Sequence, residues 1–263
     1  MTNIEFIDSH CHLYLPHFNG EADDVVQRAQ DAHVTKMLVV GIDIETIPAM
    51  LNLVNRYDCM YTSLGVHPSY RLQDILSVSD FVSYYGQLIR ENPNKVVAIG
   101  EMGLDYYREF DKDYQHTLFK NQILAAVELK LPIIIHTRNA REDTIKLLKE
   151  CHAEKVGGVI HCFSEDWEFA KEVLDLNFML SFSGVITMQG HTDTLEAVKK
   201  VPNDRYLIET DSPYLTPHPK NNRKRNEPAY VCEMAAKVAE LKGSSVMEVA
   251  RDSTRNFHTL FNI

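Results

Sequence analysis

The chain has 263 residues, a formal net charge of −10, 44% hydrophobic and 24% charged residues. These values fit an α/β globular protein with a large core and exclude a disordered or collagen-like chain. The acidic balance opposes non-specific attachment to nucleic acid or anionic membrane, although bound divalent cations would reverse the sign locally.

Short apolar runs rich in β-branched residues, at 4–8, 37–42, 61–66, 96–100, 132–135, 157–160, 178–183 and 206–210, read as strands. Helical periodicity falls between them, near 22–33, 46–56, 78–91, 113–130, 140–151, 165–176 and 191–200. In 113–130, Leu118, Ile123, Ala126 and Val127 mark a buried face, while Lys120, Gln122 and Glu128 are expected to be wet. Pro132 then stops the helix and opens the next strand. Residues 227–261 add two or three helices, with Val231, Met234, Ala235, Val238 and Leu241 as one apolar stripe. They are expected on the barrel exterior or across its N-terminal end. Eight strands alternating with helices predict a parallel sheet, since parallel neighbours need a crossover. A doubly wound dinucleotide-binding sheet would bring a GxGxxG loop, which is absent. The fold expected is therefore a single-domain α/β TIM (β/α)8 barrel over residues 1–263, with extra C-terminal helices.

Acids and imidazoles fall repeatedly one step past the apolar runs, where a barrel gathers its chemistry. His10 and His12 lie two apart, so on an extended chain both reach one ion; Asp8 could accept a ring N–H. His136 and His161 each cap a run, and Glu101, between Gly100 and Gly103, could bridge two cations. Those glycines suggest a tight turn approached closely by backbone. Asp211 can ligate a metal and serve as general base. His67 fits a substrate contact, a proton shuttle or a structural imidazole beside Pro68. Arg138 is a candidate phosphate ligand, and Arg223, Lys224 and Arg225 belong to a basic loop that is either solvated or a phosphate clamp. Asp105 reads as a partner of a ligand or a helix cap; Tyr106 and Tyr107 either stack bases or pack. Cys11 and Cys162 read as packing residues. The five cysteines lack CxxC spacing, and no export signal or membrane-length apolar run is visible. A cytoplasmic protein without a membrane partner is expected, with oligomeric state open and a monomer compatible with the sequence.

Asp8-Ser9-His10-Cys11-His12-Leu13, Gly65-Val66-His67-Pro68, Gly100-Glu101-Met102-Gly103-Leu104-Asp105, Ile135-His136-Thr137-Arg138, His161-Cys162-Phe163-Ser164, Glu209-Thr210-Asp211-Ser212-Pro213-Tyr214-Leu215 and Arg225-Asn226-Glu227-Pro228-Ala229 occur in that order. Together they resemble the TatD family of metal-dependent deoxyribonucleases, within the amidohydrolase-like barrels. The resemblance implies two divalent cations (Zn, Mn or Mg) on His10, His12, Glu101, His136, His161 and Asp211, with Glu101 bridging. It implies hydrolysis of DNA phosphodiesters from the 3′ end, with single-stranded ends as the expected substrate. Glu165-Asp166 and Asn221-Asn222-Arg223-Lys224 depart from the family pattern where substrate enters. An amidohydrolase-type esterase or amidase, including an aminoacyl-ester (D-aminoacyl-tRNA) deacylase, and a non-catalytic metal-stabilised binding protein are the competing expectations.

Overall fold

The computed structural model describes residues 4–108, 111–220 and 225–263. Eight strands, β1 (Phe6–Cys11), β2 (Val34–Val40), β3 (Met60–Leu64), β4 (Val96–Asp105), β5 (Ile133–Arg138), β6 (Gly158–Ile160), β7 (Phe178–Phe182) and β8 (Tyr206–Ile208), form one sheet in chain order. The pairs β1·β2, β3·β4, β4·β5, β5·β6 and β7·β8 are parallel. Just past β8, Asp211 N donates to His10 O at 2.9 Å and His12 N to Ser212 O at 2.8 Å, so the last strand returns to the first. That order and that return are those of the expected near-closed parallel barrel.

The helices are α1 (Ala22–Asp31), α2 (Ile47–Val54), α3 (Val78–Glu91), α4 (Lys112–Leu129), α5 (Arg141–Glu150), α6 (Trp167–Asp175), α7 (Thr192–Lys200), α8 (Val231–Lys242) and α9 (Val246–Phe261). Reciprocal capping boxes, Ser77 with Asp80 and Ser245 with Glu248, fix the starts of α3 and α9 by satisfying N–H groups that a helix leaves open. Helix α4 stops at Leu129, three residues before Pro132, because Lys130 takes a left-handed conformation and closes it.

The chain divides into two compact units: Met1–Val39, His161–Lys171 and Met179–Ile263 in the first, Val40–Ile160 and Glu172–Phe178 in the second. In the first, α9 packs against β1 and β8. Asn256 donates to the carbonyls of Asn203 and Tyr206, and Thr254 to that of Glu5, so α9 covers the N-terminal ends of both strands.

In the second unit, two sequence expectations change. Strand β4 does not end at Gly100 but continues through Glu101 to Asp105, and β5 continues through His136 to Arg138. Gly100 and Gly103 therefore lie within a strand rather than a tight turn, at φ of +138° and +148°. The close approach is real: a Cβ on Gly103 would stand 1.8 Å from His136 O, and one on Gly100 2.4 Å from Ile134 O. Gln122, expected on the wet face of α4, is fully buried. Its amide accepts from Val66 N at 2.8 Å and donates to Val66 O at 2.9 Å. Two turns earlier on α4, Gln115 accepts from Asp105 N and donates to Asp105 O. One helix face thus clamps the backbone at Asp105 and beside His67.

Candidate metal centre

In the first unit, β1 carries Asp8 and His10, and His12 follows it. The Nε2 atoms of His10 and His12 stand 3.2 Å apart. Asp211 Oδ1 lies 3.4 Å from His12 Nε2 and 3.8 Å from His10 Nε2. These three donor atoms fall within 4.8 Å of one another. Two neutral imidazoles and a carboxylate converging so closely form a donor set that suits a divalent cation of borderline softness. The His161 ring stacks on that of His10, with centroids 4.0 Å apart. Buried Glu209 places Oε1 3.3 Å from His161 Nδ1 and accepts from Cys162 N at 2.6 Å. Such a carboxylate orients an imidazole and fixes its tautomer.

Asp211 and Cys162 both occupy left-handed backbone, at φ of +55° and +46°. Strain of that kind persists only where surroundings impose it. Around Asp211 they do: Asn226 donates from Nδ2 to Thr210 O at 2.8 Å and to Tyr214 O at 2.7 Å. The next residue, Glu227, grips Arg28 of α1 through three hydrogen bonds. Asp8 differs from expectation. It accepts from His10 N, Thr210 N and Thr210 Oγ1, tying the starts of the two ligand segments rather than holding an imidazole N–H. Burial pushes its carboxyl up to about 8, against the downward pull of those three bonds. Cys11 and Cys162 are packed as expected, with Sγ atoms against Leu38 O and Ser183 Oγ.

In the second unit, Glu101 Oε1 lies 3.3 Å from His136 Nδ1 and 3.4 Å from His67 Nε2. His67, Glu101 and His136 form a second convergent set within 4.8 Å. Asp105 Oδ2 stands 3.4 Å from the other nitrogen of His136, and its Oδ1 accepts from Tyr107 N and Arg108 N. Burial would raise this carboxyl, but His136 and the Arg108 N–H outweigh it and hold Asp105 below the usual carboxylate range. His67 Nδ1 accepts from Ser69 N at 3.0 Å. In the neutral ring that leaves the proton on Nε2, facing Glu101, so His67 can donate there.

The guanidinium of Arg138 lies 3.7 Å from the centroid of the Tyr107 ring. Arg225 is engaged elsewhere: it binds Glu21 at 2.8 and 3.1 Å, donates to His17 O and covers the Phe18 ring. Arg223 and Lys224 lie outside the described residues. Sequence reasoning did not single out Glu209, Thr210, Gln115, Gln122 or Asn226. For Glu209 a signal existed, a charged residue inside an apolar strand-like run.

A family model described as TatD related DNase matches residues 7–262. An uncharacterized metal-dependent hydrolase, YabD of Bacillus subtilis, is 43% identical over 97% of this chain and 98% of its own. The 3′-5′ ssDNA/RNA exonuclease TatD of Citrobacter koseri is 34% identical over 94% and 95%. Among solved structures, the TatD homolog YjjV of Escherichia coli superposes with a TM-score of 0.89 at 30% identity, covering 99% of both chains.

Proposed function

The chain belongs to the TatD-related DNase family and is a metal-dependent hydrolase, and from that premise we propose that it cleaves phosphodiester bonds in DNA, working from the 3′ end of single strands. The observation that carries the proposal is the pair of convergent donor sets, His10–His12–Asp211 and His67–Glu101–His136. We assign His10, His12 and Asp211 to one divalent cation and His136 and His161 to a second, with Glu101 shared. Residues 1–263 are read as one catalytic domain, the span that the family match all but covers. When bound, such cations lower the pKa of water and offset charge on the phosphoryl oxygens.

The chain's own groups do the rest. Asp211, held in place by Asn226 through the carbonyls of Thr210 and Tyr214, takes the proton of the attacking water at its carboxylate. His67 presents its Nε2 proton toward Glu101, where it can be passed to a departing oxygen. Glu209 and Asp105 keep His161 and His136 oriented, so little reorganisation accompanies turnover. Arg138 positions the substrate phosphate. Imidazole-rich ligation favours Zn or Mn, and a phosphate substrate admits Mg. Among the described residues no helix is long and apolar enough to cross a membrane.

The competing reading keeps the centre and changes the substrate to an ester, an amide or an aminoacyl ester on tRNA. Turnover of an aryl ester, a lactone and a labelled single-stranded oligonucleotide by one preparation separates the two. We expect oligonucleotide hydrolysis and its inhibition by unlabelled oligonucleotide. Ester turnover that ignores added oligonucleotide would move the assignment to a small-molecule hydrolase.

A further inference from the structure

The segment that leaves β4 holds groups that the hydrolytic steps leave unused. Tyr107 is 63% exposed, one of only three large apolar side chains so exposed among the described residues. A lone exposed aromatic is ordinary on a protein surface; what distinguishes Tyr107 is the guanidinium of Arg138 stacked on its ring. Tyr107 is fixed by its neighbours. Tyr107 N donates to Asp105 Oδ1, and Tyr106 N to Arg138 O. The Tyr106 hydroxyl is bound to Asp143 at 2.6 Å and to His116, with Lys112 Nζ 4.0 Å from its ring. Tyr106 thus packs and anchors, and Tyr107 is left facing outward.

Arg138 covers one face of the Tyr107 ring, and its guanidinium makes no hydrogen bond or ion pair with a described residue. Stacked that way, its N–H edges stay available for an anion. Arg108 adds a second cation, 3.9 Å from Asp105 and 3.4 Å from Ser69 Oγ. The nearby acids are occupied: Asp105 by His136 and two backbone N–H groups, Asp143 by Tyr106 and His116. Arg138 also lies two residues beyond His136 on β5, about 7 Å along the same side of an extended strand. A single nucleotide spans that gap.

We infer that Tyr107 and Arg138 form a stacking subsite for one unpaired nucleobase, with the edge of Arg138 on its flanking phosphate. The subsite selects single-stranded over paired nucleic acid, since a paired base has no free face to offer. Aromatic stacking tolerates any base, so the selection is for strandedness rather than sequence. This inference rests on the nuclease reading above and deepens it.

The test is fluorescence anisotropy with the full-length, metal-loaded protein and strands carrying hydrolysis-resistant phosphorothioate linkages, where binding is read without cleavage. The probes are a labelled single strand, its duplex, and a single strand whose terminal nucleotide is abasic. Tyr107→Ala should weaken single-strand binding about tenfold, the scale of one lost base stack. Tyr107→Phe should retain it, Arg138→Met should weaken it and flatten its salt dependence, and the abasic strand should bind wild type and Tyr107→Ala alike. Unchanged single-strand affinity in Tyr107→Ala, equal wild-type affinity for intact and abasic ends, or no oligonucleotide binding would overturn the subsite. Parallel cleavage assays on unmodified strands separate the two levels. DNA hydrolysis with binding indifferent to Tyr107 sinks the subsite alone, and Tyr107-dependent binding without hydrolysis sinks the nuclease reading alone.

Discussion

Asn226 holds the backbone around Asp211 in the candidate metal centre. It is fully buried; its Nδ2 holds the carbonyls of Thr210 and Tyr214, and its Oδ1 accepts from Glu227 N. Asn226→Ala leaves those two acceptors unmet, at about 1–3 kcal/mol for an unsatisfied buried group. Urea unfolding should therefore show a loss of about 2–4 kcal/mol, and activity should fall with it because Asp211 loses its imposed left-handed backbone. An Asn226→Ala protein as stable as wild type would mean that the Asp211 loop holds itself. At Glu101 the expected effect is on metal rather than on folding. Glu101→Gln keeps the shape and removes the charge, so metal analysis should find occupancy of both ions reduced if Glu101 is shared. Loss of a single ion would assign Glu101 to one ion.

At the scale of elements, β4 and α4 do most of the positioning. Gly103 lets β4 pass His136 O where no side chain fits. Gly103→Ala adds a methyl group 1.8 Å from that oxygen and forces a residue with Cβ into φ of +148°. We expect a loss of more than about 3 kcal/mol, or failure to accumulate folded protein, since backbone on both sides must move. A circular dichroism melt within a few degrees of wild type would contradict that. The order and number of strands were legible in the sequence because β-branched runs alternate with helical periodicity. Strand ends were not, because apolar character stops at Gly100 and Ile135 while the ladder continues to Asp105 and Arg138. The candidate ligand residues stood out as a set because each follows an apolar run. Their supports were hidden for two physical reasons. Gln115 and Gln122 are polar, so periodicity assigns them to water, although both are buried to satisfy backbone on neighbouring segments. Asp8 finds Thr210 across 202 residues of chain, a pairing no local pattern encodes.

For the molecule as a whole, a net charge of −10 means that affinity for a polyanion must be local, supplied by bound cations and by Arg138 and Arg108. The central claim is that these residues make a metal-dependent nuclease. Its most direct test is degradation of end-labelled single-stranded DNA by chelator-stripped protein, with Mg²⁺, Mn²⁺ or Zn²⁺ restored in turn. Glu101→Gln and Asp211→Asn run beside the wild type. We expect no cleavage without metal, restored cleavage giving a ladder that shortens from the 3′ end, and loss of more than about a hundredfold in either variant, the scale of a lost acid–base or electrostatic group. Wild-type protein that is loaded with metal and leaves DNA intact, or cleavage that persists in Glu101→Gln and Asp211→Asn, would contradict it.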